Sequence, residues 1–122
     1  MEEKETPAKS AERLQFVEPM YARTVQRLPE DDAWTYEVKY DGYRALTGRD
    51  SIGVTLWSKC GNIFTDQFPE LADACKHLPP DILLDGEIVA FKDGRISLNL
   101  LQRYRSGAQA IVFYAFDAII HR

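Results

Sequence analysis

From Trp34 to Lys39 apolar and polar residues take turns: Trp34, Tyr36 and Val38 against Thr35, Glu37 and Lys39. A period of two is the signature of a half-buried strand. It predicts that Glu37 and Lys39 share a face, away from the apolar one. Asp41-Gly42 suits a tight turn, and residues 43–49 read as the returning strand of a hairpin. Residues 52–58 form a third strand, followed by a polar turn over 59–62. Phe68, Leu71, Ala72, Cys75 and Leu78 make one helical stripe, with Pro69 in the first turn and Pro79-Pro80 as the stop. Residues 82–91 read as a long apolar strand interrupted by Asp85-Gly86-Glu87. Lys92-Asp93-Gly94 then suits a hairpin turn, 98–105 a short helix, and 111–120 a last apolar strand. Antiparallel strands with helices laid on them predict an α+β domain.

Upstream of this region, residues 1–13 are polar and of mixed charge and read as a disordered tail or linker. Residues 14–30 carry Phe16, Val17, Met20, Val25 and Leu28 between Pro19 and Pro29. They predict an extended lead-in, with room for one short helical turn, packed on the body. At 122 residues the chain suits one domain. No apolar run approaches a membrane span, and no secretory signal opens the chain, so the expected location is the cytoplasm. Cys60 and Cys75 match no zinc spacing and are expected to be reduced thiols without a structural metal. Fifteen basic against 19 acidic residues leave a net charge of −4. A module that grips duplex DNA unaided usually carries a basic balance, so any such contact here must be local or shared.

Four short elements carry chemistry. Lys39-Tyr40-Asp41-Gly42-Tyr43-Arg44 reads equally well as a plain hairpin or as a site, since chance supplies K-x-D-G-x-R in roughly one such chain per several hundred. Asp85-Gly86-Glu87 is harder to explain structurally. Two carboxylates inside a buried strand are costly unless they meet a partner or a metal, and glycine between them allows a close approach to the backbone. Phe116-Asp117 in an apolar strand and Ser58-Lys59 after another are, taken singly, ordinary core and ordinary turn.

In this order and spacing, the four elements resemble motifs I, Ia, III and IIIa of the covalent nucleotidyltransferases, the superfamily of ATP-dependent DNA ligases and messenger-RNA capping enzymes. The surrounding wording is similar to the ligase domain of bacterial ligase D proteins, which serve non-homologous end joining. Pro19-Met20-Tyr21-Ala22, Leu28-Pro29, the run from Trp34 to Arg44, Phe68-Pro69-Glu70-Leu71 and Leu100-Leu101-Gln102-Arg103 all carry that likeness. It covers residues 14–122. Lys59 departs from it, standing where arginine is usual; lysine keeps the charge but loses the planar fork. The family's Glu-Gly and Lys-x-Lys motifs (IV and V) and its oligonucleotide-binding domain find no counterpart in these residues.

The resemblance implies the front part of an adenylation domain with an ATP-grasp-like, mostly antiparallel α+β fold. It implies ATP and Mg²⁺ as cofactors and an AMP carried on Lys39, the nucleophile. Arg44 would contact the ribose and the DNA nick, with Lys59 adding a cation. Glu87 would bind the ribose hydroxyl or support the metal, and Phe116 would stack on adenine. Glu37 would accept from the adenine amino group, which favours ATP over GTP. Nicked or broken duplex DNA is the implied substrate, bound weakly or not at all by these residues alone, which are expected not to seal a nick. A Ku-type end-binding protein or an end-joining polymerase is the implied partner, with a place at the bacterial nucleoid. Two other readings stay open: a non-catalytic remnant that binds nucleotide or a partner, and a capping-type guanylyltransferase.

Overall fold

The computed structural model describes residues 13–104 and 110–122. The expected tail over 1–13 therefore lies outside it, except for Arg13, as does Arg105 at the end of the expected second helix.

Among the described residues seven strands and α-helices follow in chain order, β1 (Tyr43–Arg49), β2 (Val54–Ser58), α1 (Pro69–Cys75), β3 (Ile82–Lys92), β4 (Arg95–Ile96), α2 (Leu98–Gln102) and β5 (Ala110–His121), with a 3-10 turn over Thr65–Gln67 before α1. The strands form one antiparallel sheet, with β1 between β2 and β3, and with β4 and β5 both paired to β3. Lys92 leads into a two-residue turn in which Asp93 and Gly94 both have positive φ, 52° and 74°. That is the twist which matches two right-twisted strands, and Asp-Gly is well suited to it. At the other hairpin, the Asp50 carboxylate accepts from the N–H groups of Ile52 (2.9 Å) and Gly53 (3.1 Å), which fixes the β1–β2 turn.

The sheet has two differently covered faces. Ala45, Leu56, Ile88 and Ala90 are buried under α1 and α2 with Phe64, Phe68, Leu71, Cys75 and Leu101. Pro69 opens α1, where its missing N–H costs nothing. Ser97 caps α2 by accepting from the Leu100 N–H at 3.3 Å. The opposite face buries Leu46, Trp57 and Leu83 under the lead-in residues Leu14 and Phe16. Leu14 is tied there by its N–H, which donates to Asp50 at 3.0 Å.

Three expectations need correction. Residues 34–39 form no strand: Trp34, Tyr36 and Val38 are all exposed, Val38 to 73%. Alternation asks for one covered face, but a strand also needs a partner for its backbone groups. Both edges of β1 are taken by β2 and β3, so no hairpin can form with the preceding segment. Asp41-Gly42 is accordingly not a hairpin turn. Lastly, Asp85-Gly86-Glu87 does not interrupt its strand, since β3 runs unbroken for 11 residues. The irregularity lies opposite, in β5. The lead-in forms neither strand nor helix, so the expected helical turn is absent.

Candidate functional site

Paired residues on neighbouring antiparallel strands point to the same side of the sheet. Arg44 on β1 lies opposite Glu87 on β3, which lies opposite Tyr114 on β5. These three form a row on the face not covered by the helices. Two residues back along β3, Asp85 pairs with Asp117, while Gly86 pairs with Ala115. Phe116 is therefore the extra residue of a β-bulge. Bulges re-aim side chains; here the Phe116 ring stays 46% exposed beneath the Arg44 guanidinium, 5.0 Å from its carbon.

The centre of the site is an ion pair. Arg44 Nε donates to Asp85 Oδ1 and Nη2 to Asp85 Oδ2, both at 2.7 Å. Nη2 also donates to the Met20 carbonyl at 2.8 Å, which ties the lead-in to the sheet. Asp85 is almost fully buried, and a charge so placed is tolerable because the guanidinium fork matches it at two points. The hydrogen bonds from Arg44 to Asp85 raise the guanidinium pKa further, outweighing the opposite effect of burial. Tyr21 braces the lead-in a second time, its hydroxyl donating to the Lys59 carbonyl at 3.1 Å.

Glu87 is the titratable group of the cleft whose balance differs. Burial pushes its carboxyl above the usual glutamate range. Arg44, the Gly42 N–H and Lys39 pull it back without fully offsetting that cost, and Asp85 adds to the push. The lysine motif lies directly against this carboxylate. Gly42 donates to Glu87, and a Cβ at Gly42 would sit 1.9 Å from the Ile88 carbonyl oxygen. Only glycine allows the segment to descend so closely onto β3. Lys39 itself is exposed, its Nζ 3.5 Å from Asp41 Oδ1. Gly86 has a different use from the one expected. Its missing Cβ is filled by the Tyr114 carbonyl (2.2 Å) and the Phe113 ring (2.5 Å), so it admits strand β5 and not a ligand.

These groups line one cleft of about 920 Å³. Of the residues singled out in the sequence, Glu37, Lys39, Arg44, Glu87 and Phe116 line it together, whereas Lys59 does not. Val38, expected on the face opposite Lys39, lines it too, because the segment is not a paired strand. Sequence reasoning missed Met20, Leu98 and above all Asp85 as the anchor of Arg44. The signal for Asp85 was present: an aspartate inside a buried strand demands a cation. Among the described residues no group of three His, Cys, Asp or Glu side chains could by itself hold a metal ion. No described helix is long and apolar enough to cross a membrane.

Residues 14–121 match the family model of the ATP dependent DNA ligase domain. The chain is 38% identical to DNA ligase C1 of Mycolicibacterium smegmatis, over 86% of this chain and 32% of that protein. It is 47% identical to the bifunctional non-homologous end joining protein LigD of Bacillus subtilis, over 70% of this chain and 17% of that one. Among solved structures, a mycobacterial DNA ligase D complexed with ATP and MES superposes with a TM-score of 0.60 at 33% identity. That match covers 68% of this chain and 28% of the other. The chain thus spans about a third or less of the length of these relatives.

Proposed function

The chain belongs to the ATP-dependent DNA ligase family, and from that premise we propose that its cleft performs the first step of ligation, the transfer of AMP from ATP to Lys39. The observation that carries the reading is the meeting of Lys39, Arg44, Glu87, Glu37 and Phe116 in one cleft, drawn from segments up to 79 positions apart (116 less 37). A plain hairpin at residues 39–44 would give no reason for Asp85, Glu87 and Phe116 to gather around it.

In the proposed step the neutral Lys39 amine attacks the α-phosphorus. The N–P bond forms as the bond from that phosphorus to the bridging oxygen breaks, pyrophosphate leaves with the electron pair, and the nitrogen gives its second proton to solvent. The amine first gives its proton to solvent, because a free lysine has a pKa near ~10.4. Nε and Nη2 of Arg44 are committed to Asp85 and Met20, which leaves the Nη1 group to meet ribose or a phosphate of the nick. Arg44 covers one face of Phe116, so adenine would stack on the other. Glu37, exposed at the rim, would accept from the adenine amino group.

Glu87 suits a Mg²⁺ that keeps most of its ligands from water and phosphate, since such an ion needs only one or two carboxylates. Bound there, the metal would neutralise charge on the departing pyrophosphate. Lys59 would act from outside the cleft, through its long side chain. Nicked or broken duplex DNA would receive the AMP, with a Ku-type end-binding protein or an end-joining polymerase as partner at the nucleoid. The net charge of −4 fits a share of the DNA contact falling to other parts of a larger assembly.

The test is to incubate the chain with ATP labelled at the α-phosphate and Mg²⁺, and to look for acid-labile label on the protein. Label on the parent chain that is absent from Lys39→Ala supports the reading. Label that persists in Lys39→Ala overturns it.

A further inference from the structure

Lys39 lies in a stretch with no strand pairing, and every residue from Glu30 to Asp41 is exposed except Tyr40. Tyr40 is the neighbour that touches the body of the protein. Its ring lies flat on that of Tyr114, with centroids 4.2 Å apart and planes 2° from parallel. Tyr114 in turn sits in the cross-strand row with Glu87 and Arg44, and Phe91 meets its ring edge-on at 6.3 Å. Resting on the reading that Lys39 takes AMP, we propose that Tyr114 is a positioning residue: by stacking on Tyr40, it holds the Lys39 amine over the Arg44–Glu87 row.

Physically, two contacts fix the chain just downstream of Lys39. Gly42 is pinned by the Ile88 backbone and the Glu87 carboxylate, so the chain downstream of Lys39 has one anchor. One anchor leaves the preceding residues free to swing about it. The flat Tyr40–Tyr114 contact supplies the second, directly next to Lys39, and it borrows the rigidity of a strand that also carries Phe116. The order of aromatic residues on β5 then has a use at both positions. Tyr114 would locate the nucleophile, and Phe116, two residues on, the base. A nucleophile misplaced by about 1 Å can cost on the order of 100-fold in rate, so an anchor of this kind would act on the chemical step more than on ATP binding.

The experiment compares the full chain with Tyr114→Phe, Tyr114→Ala and Tyr40→Ala. Without ATP, lysyl endopeptidase cleaves the Lys39–Tyr40 bond, and mass spectrometry reports its rate relative to Lys76–His77 on the far side of the sheet. Release of the stack should speed the first cleavage about tenfold relative to the second in both alanine variants, and not in Tyr114→Phe. General loosening of the fold would speed both bonds alike, and that result overturns the proposal. With α-labelled ATP, the alanine variants should label Lys39 about tenfold or more slowly, with the half-saturating ATP concentration within about threefold of the parent, and Tyr114→Phe should match the parent. Unchanged cleavage in Tyr114→Ala sinks the anchor. An unlabelled parent chain would count against the adenylation reading instead, leaving the cleavage ratio to decide the anchor.

Discussion

Arg44 and Asp85 meet as fork and carboxylate, two parallel 2.7 Å hydrogen bonds between diagonal positions on adjacent strands. Asp85→Ala would leave the guanidinium partly buried without its counter-charge. We expect a loss of about 3 kcal/mol in chemical denaturation, at the low end for a broken buried pair because Arg44 retains some contact with water. Arg44→Lys keeps the charge but cannot match both oxygens. It should slow Lys39 labelling about tenfold or more while costing less stability than Asp85→Ala, as single-turnover labelling and urea melts on the same samples will show.

Lys39→Arg should be as dead as Lys39→Ala in the labelling assay. A guanidinium remains protonated at any pH the fold survives and is not a nucleophile. Retained label in the arginine variant would mean that AMP is carried elsewhere.

Glu87 should cost the protein stability that its role requires. Burial raises its pKa above that of the unfolded chain, so folding loses stability as pH rises from the ordinary glutamate value through the raised one. Glu87→Gln removes the ionisation and can keep an acceptor for the Gly42 N–H. Its melting temperature should exceed the parent's near neutral pH, and the two should converge below about pH 4. Labelling of Lys39 should fall in the same variant. A variant that melts lower than the parent at neutral pH would contradict this.

Asp50 runs the other way. Burial pushes its pKa up, but the N–H groups of Ile52, Leu14 and Gly53, with Arg13 nearby, outweigh that and hold the carboxyl below its ordinary range. Its contribution to stability is therefore complete above the ordinary aspartate pKa and fades as pH falls through the lower folded value. Asp50→Asn should be less stable than the parent at neutral pH, with the gap narrowing in acid. Hydrogen exchange at Leu14 should report the loss first, since its N–H gives up a charged acceptor.

Much of the sheet could be read from the chain because its strands obey local rules. Residues 43–49 are a strand as expected, the Lys92-Asp93-Gly94 turn has the backbone its sequence favours, and the Pro69 start and apolar stripe of α1 coincide with the expected helix. Residues 34–39 misled for a non-local reason. Their alternation is real, but pairing depends on which edges remain free, and both edges of β1 are spoken for. The cleft was legible to the extent that its members sit in recognisable short motifs. Asp85 escaped because its partner is 41 positions away, and Tyr40 and Tyr114 escaped because a ring stack between segments leaves no periodic trace.

The bulge at Phe116 makes the residue count of β5 as consequential as its composition. Ala110 to Ala115 and Asp117 to Ala118 are paired to β3 in registers that differ by one extra residue, and Ile119 adds a second before Ile120 pairs with Leu83. Deleting Phe116 would only iron out the bulge, since the residues on either side of it would then share one register, but inserting one residue between Ala110 and Phe113 would make Phe113 and Tyr114 slip by one along β3. A slip of one turns every side chain over: Tyr114 would turn from the row with Glu87 to the helix-covered face, and Phe113 would take its place beside Glu87. Point substitutions along β5 therefore alter the cleft one group at a time, whereas an insertion or deletion between Ala110 and Phe113 would rewrite it at a stroke. By the same logic the exposed Asp93-Gly94 turn, which has no neighbour to stay in step with, is where added length should be tolerated.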